Sequence, residues 1–73
     1  MRRATIRTAH DRPEVVAAAL RPDNTAEMST QVDGRTVVTT IERDSTGGLR
    51  TTVDDYVTNL RVAQRVTDTT IQP

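Results

Sequence analysis

The sequence predicts an α+β domain of element order β-α-β-β-α: a three-stranded antiparallel sheet, strand order 1-3-2, with two helices on one face. Three observations lead there. Apolar and polar residues alternate with a period of two in three short stretches, and two further stretches carry a helical period. Between the second and third strand-like stretches stands Asp33-Gly34, a hairpin signal of the right spacing.

The first strand is read from Ala4, Ile6 and Thr8, which alternate with Thr5 and Arg7. Asp11 then stands where a side-chain oxygen would cap a helix start. Glu14 follows in capping-box position, and Pro13 sits in the first turn, where its missing N–H costs nothing. The first helix runs through Val15-Val16-Ala17-Ala18-Ala19-Leu20, with Val16, Ala19 and Leu20 as its inward stripe. Pro22 disfavours helical geometry at Arg21 and closes it.

After Arg21-Pro22-Asp23-Asn24, the period of two returns: Ala26, Met28, Thr30 and Val32 share one face, Glu27, Ser29 and Gln31 the other. Asp33-Gly34 calls for a type I′ turn, which needs two residues tolerant of positive φ. On the return strand, Arg35 to Arg43, Val37, Thr39 and Ile41 face one way and Thr36, Val38, Thr40 and Glu42 the other. Val38 hints that part of this second face is covered.

Asp44-Ser45-Thr46-Gly47-Gly48 breaks the pattern, and Ser45 or Thr46 is placed to cap a last helix. Its inward stripe is Leu49, Val53, Tyr56, Leu60 and Ala63, widened by Val57. Asp54 and Asp55 lie toward its start and Arg61 and Arg65 toward its end, as the helix dipole prefers. Val62 and Val66 stand off the main stripe, the second apolar ridge of a helix with two packing partners. The reading is one domain, residues 1–73, with a frayed polar tail from about residue 67.

Composition narrows the function. In 73 residues there are one His, no Cys, and a single aromatic, Tyr56, with 34% hydrophobic content. A metal site, thiol chemistry and a disulfide framework are thereby disfavoured, and no cofactor is expected. No apolar run approaches the roughly 18 residues that span a bilayer, and MRRATIRTAH lacks the apolar stretch of a secretory signal, so a cytoplasmic protein is expected. Below about 70–80 residues, one core rarely supplies more than about 3–5 kcal/mol, which argues for burial against a second copy or another subunit. Ten Arg with no Lys, fourteen Thr, and seven Asp against three Glu suit a salt-adapted archaeal cell; a GC-rich genome favours much the same residues.

Each candidate for chemistry has a plainer alternative. His10 has no nucleophile signature beside it. Asp54 and Asp55, adjacent on a helix, point about 100° apart. Gly47-Gly48 precedes a helix but lacks a phosphate-loop pattern, and reads as a turn. No enzymatic activity is expected. Arg2, Arg3, Arg7, Arg12 and Arg21 gather around the first strand and helix and are placed for phosphate contacts, or are ordinary solvated arginines. Val16, Leu20, Val53, Val57, Leu60 and Val62 supply an apolar ridge shared between core and docking.

The run of motifs also carries a resemblance. A short strand, a helix leaving through Ala19-Leu20-Arg21-Pro22-Asp23, a hairpin over Val32-Asp33-Gly34 and a last helix reading Leu49-Arg50-Thr51-Thr52-Val53-Asp54-Asp55-Tyr56-Val57-Thr58-Asn59-Leu60 span roughly Ala4 to Val66. This resembles the smallest subunit of the KEOPS complex, the polarized-growth chromatin-associated controller family related to the cancer/testis antigens. The resemblance implies a non-catalytic homodimeric subunit that docks its helices on the threonylcarbamoyl-transferase subunit. It further implies a part in making N6-threonylcarbamoyladenosine on tRNA, with tRNA held through the complex; Arg2, Arg3, Arg7 and Arg12 are the candidate phosphate contacts. The other reading kept open is a stand-alone KH-like RNA-binding module.

Overall fold

The computed structural model describes residues 1–71, with side chains described for residues 1–65 other than Asp23. The elements are β1 (Arg2–Ala9), α1 (Pro13–Leu20), β2 (Met28–Asp33), β3 (Thr36–Arg43) and α2 (Thr46–Ile71), with one 3-10 turn at Arg21–Asp23. The sheet is antiparallel in order β1-β3-β2, as the sequence predicts. Both helices lie on the face carrying Thr30, Val37, Thr39 and Ile41: α1 rests on β2 and β3, and α2 on β3 and β1.

The core is small and drawn from every layer. Val16, Ala17 and Leu20 of α1 meet Val37 and Ile41 of β3 and Tyr56, Leu60 and Ala63 of α2, with Ile6, Met28, Leu49 and Val53 packed half-buried around them. Central β3 is the clearest case: its odd residues from Val37 to Ile41 are fully buried and its even ones half-buried. Helix α2 follows its expected stripe, and Ser45 caps it, its Oγ accepting from Gly48 N–H at 3.0 Å. The helix is assigned as far as Ile71; the side chains of the tail expected to fray from about 67 lie outside the described residues.

Four local expectations are corrected. Asp11 does not cap α1; Arg12 is the capping position without a side-chain bond, and Asp11 forms an ion pair with Arg35 instead. The inward alanine of α1 is Ala17, fully buried, whereas Ala19 is exposed. With only eight residues in α1, Val16, Ala17 and Leu20 already span its contact arc. Arg21 keeps helical geometry (φ −56°, ψ −39°) before Pro22, because the chain tightens into the 3-10 turn with Pro22 at its start, where no N–H is needed. Strand β2 begins at Met28, Ala26 and Glu27 lying in the preceding turn.

The hairpin differs too. Asp33 pairs with Thr36, so the two loop residues are Gly34 and Arg35, and only Gly34 has positive φ (+61°). That is the type II′ signature, which needs glycine at the first loop position alone.

A chain of polar groups crosses this core. The Thr39 hydroxyl donates to Tyr56 Oη at 2.7 Å; Thr30 and Thr39 hydroxyls lie 3.0 Å apart; Asn24 Nδ2 donates to Thr30 Oγ1 at 2.8 Å. Thr39 has one proton and gives it to Tyr56, so Thr30 donates to Thr39. Thr39 is 0% and Tyr56 2% exposed, so neither has water as a substitute partner. Burial raises the Tyr56 phenol above its ordinary range, and the Thr39 bond opposes that shift.

Candidate interaction surfaces

The arginines singled out from the sequence do not form one patch. Arg3 and Arg7 share the uncovered sheet face, about 13 Å apart along β1 at roughly 3.3 Å per residue. Arg3 is held by Glu42, directly opposite in register, with Nη2 2.9 Å from the carboxylate. Arg2 stands on the opposite side of the strand, its Cα paired with that of Arg43. Arg12 lies beyond the far end of β1, where its carbonyl accepts from Val15 and Val16 N–H.

The six apolar residues separate in the same way. Val16, Leu20 and Leu60 are core; Val53 and Val57 are half-buried; Val62 is 55% exposed. Val53 and Val57, four residues apart, share one flank of α2, while Val62 lies well around the helix from them. The second ridge therefore holds only Val62 among the described side chains, Val66 lying outside them.

Elsewhere the polar candidates have local duties. His10 Nε2 lies 2.7 Å from Thr8 Oγ1 and Nδ1 3.4 Å from Gln64 Nε2, tying the end of β1 to α2. Asp54 and Asp55 are exposed on separate faces of α2. Gly47 and Gly48 lie within the first turn of α2 rather than in a loop. Arg43 donates from Nη1 to Thr52 Oγ1 at 2.7 Å, in a groove also lined by Glu27 and Asp55. Glu27 is held below the ordinary carboxylate range chiefly by the Thr25 hydroxyl (2.7 Å), then by its own backbone N–H; burial opposes them, and the Arg43 charge adds the smallest effect. Among the described residues, no group of three His, Asp or Glu could hold a metal ion, and no helix is long and apolar enough to cross a membrane.

The sheet has two free edges, and backbone register says which groups each presents. His10 N–H donates to Arg35 carbonyl at 2.9 Å, which fixes the alternation along β1. Arg2, Ala4, Ile6 and Thr8 exchange bonds with β3, leaving N–H and C=O groups of Arg3, Thr5, Arg7 and Ala9 directed outward. On the other side, Glu42 N–H donates to Glu27 carbonyl at 3.0 Å, so Met28, Thr30 and Val32 face outward from β2. That second edge is six residues long and has Asn24 bonded to Thr30 on it; β1 offers eight residues. Periodicity located the strands, but the outward set depends on which residues pair, and one sequence does not carry that.

Set against known proteins, the chain matches no family model and no curated protein.

Proposed function

We propose that this chain is a non-catalytic dimerisation and scaffold subunit of the KEOPS complex, supporting N6-threonylcarbamoyladenosine formation on tRNA by docking the threonylcarbamoyl-transferase subunit. The observation that carries the reading is where apolar surface remains once the core is complete. Val62 is 55% exposed and Val53 and Val57 are half-buried, all on the longest helix. A domain with so small a core gains from covering such residues, and association supplies that cover. Arg3 is engaged by Glu42 and the other arginines are dispersed, so tRNA is held through the assembled complex rather than on a single basic patch.

The test is co-purification of the tagged chain with the transferase subunit from the same cell, followed by replacement of Val62 with Asp. Val62 is outside the core, so Val62→Asp should leave the melting curve nearly unchanged and abolish capture. Undiminished capture would move docking away from this side of α2. A strain lacking the chain should lose the modified adenosine from its tRNA. Tight tRNA binding by the isolated chain would favour the KH-like module instead.

A further inference from the structure

We infer that the groove between the start of β2 and helix α2 seats a basic side chain of the docked partner, beside an apolar contact on Val62. This rests on the docking reading above, to which it adds a charged anchor.

Thr52, Asp55, Asn59 and Val62 recur at intervals of three and four residues, so they form one stripe of α2. That stripe flanks the core residues Tyr56, Leu60 and Ala63 on the side opposite Val53 and Val57. Its first three members, with Thr25, Glu27 and Met28, line a groove of about 460 Å³. Val62 continues the stripe two turns beyond Asp55, about 10 Å along the axis at 1.5 Å per residue. The surface is therefore two-ended: concave and charged around Asp55, apolar and exposed at Val62.

Charge selects the occupant. Among the described residues, Glu27 and Asp55 share the groove with one cation, Arg43, whose Nη1 already donates to Thr52 Oγ1 at 2.7 Å. The residues three and four positions from Asp55 on α2 are Thr51, Thr52, Thr58 and Asn59, so no basic neighbour at that spacing offsets it. Glu27 is exposed and, with the Thr25 hydroxyl bonded to it, fully ionised near neutral pH. Two carboxylates against one engaged guanidinium leave the groove negative. An ammonium or guanidinium placed there offsets that charge, and its alkyl stem lies along the half-buried Met28. No third carboxylate or imidazole among the described residues joins the pair, so a metal ion lacks a ligand set. The apolar end at Val62 calls for a protein surface rather than a free amine.

The test is calorimetric titration of the full chain with the purified transferase subunit of the same cell, at about 0.15 M and about 1 M salt. The Glu27→Gln, Asp55→Asn double variant keeps both shapes and removes both charges; both residues are exposed and outside the core, and circular dichroism checks the fold. It should bind about fivefold more weakly than wild type at the lower salt, as loss of two exposed ion pairs implies, and the gap should close at the higher. A second probe needs no transferase: an alanine-based helical peptide carrying a lysine and, seven residues on, a leucine, titrated into the isotope-labelled chain and followed by NMR. Amide shifts should gather at Glu27, Asp55 and Val62 and fade in the double variant. A peptide with glutamate in place of the lysine should prefer Asp55→Lys to wild type.

If Val62→Asp abolishes transferase binding while the double variant binds as wild type does, the charged anchor is overturned and docking on α2 stands. Peptide binding without transferase binding keeps the groove and overturns the transferase as its partner. A folded chain that binds neither overturns both.

Discussion

Replacing Thr39 with Val should be among the most damaging conservative changes in the protein. The methyl matches the hydroxyl in size, so no cavity opens and the effect is electrostatic. Thr39 bonds both Tyr56 and Thr30 at full burial. Each net hydrogen bond is worth about 0.5–1.5 kcal/mol, and a buried polar group left without its partner costs about 1–3 kcal/mol. Thr39→Val should therefore cost about 2.5 kcal/mol, and Tyr56→Phe, which leaves Thr39 still accepting from Thr30, about 1 kcal/mol. The double variant removes both ends of the Thr39–Tyr56 bond, strands no phenol, and should cost only about 1.5 kcal/mol, making it more stable than Thr39→Val alone. For a domain this size each kcal/mol moves Tm by roughly 4–8 °C, so the single variants should differ visibly in thermal scans. The assay is urea unfolding of all four proteins at one fixed chain concentration, since assembly makes apparent stability concentration-dependent. A double variant as unstable as its two singles combined would refute the coupling, and a Thr39→Val chain as stable as wild type would refute the buried chain of bonds.

Two further outcomes follow from the same geometry. Tyr56 is the only tyrosine and its folded pKa is raised, so the stability its neutral form contributes is complete below the unfolded value of about 10. That contribution is lost as pH rises through the higher folded value. Absorbance near 295 nm should show one phenol titrating late, and Tyr56→Phe should abolish its part of the alkaline slope; a phenol titrating at or below about 10 contradicts its burial. Gly47→Ala and Gly48→Ala should diverge. Nothing lies within 4 Å of a Cβ at Gly47, so alanine there should stabilise α2 by about 0.5–1 kcal/mol. A Cβ at Gly48 would meet the capping Ser45 Oγ at 2.9 Å and Arg43 Nη2 at 3.3 Å, and loss of the cap should cancel or reverse the gain; equal stabilisation by both would refute this.

What the sequence disclosed, and what it kept back, divides along physical lines. The inner face of β3 and the stripe of α2 were legible because each rests on a period sustained over several residues, which burial enforces. Helix α1 was legible only as an element. Its eight residues are too few for periodicity to choose between Ala17 and Ala19, and its cap lost Asp11 to Arg35, twenty-four positions away. The hairpin was found but its turn misplaced by one residue, since Gly34 serves as the second residue of one turn or the first of another. Thr30 and Thr39 read as ordinary strand formers; that their hydroxyls meet a tyrosine is a property of packing. The shared apolar ridge resolved the same way: Val16, Leu20 and Leu60 went to the core, and exposure alone distinguished Val62.

Strand β1 runs two alternations in step, because backbone bonding and side-chain direction share a period of two. Its even residues bond β3 through the backbone and face the helices; its odd residues do neither, Arg3 reaching β3 through its exposed ion pair with Glu42. The strand therefore carries two interleaved sets of positions that hardly interfere. Substitutions at Ala4, Ile6 or Thr8 should harm folding, because these residues face the helices. Substitutions at Arg3, Thr5 or Arg7 should leave folding almost untouched and change only the face and edge that the strand presents.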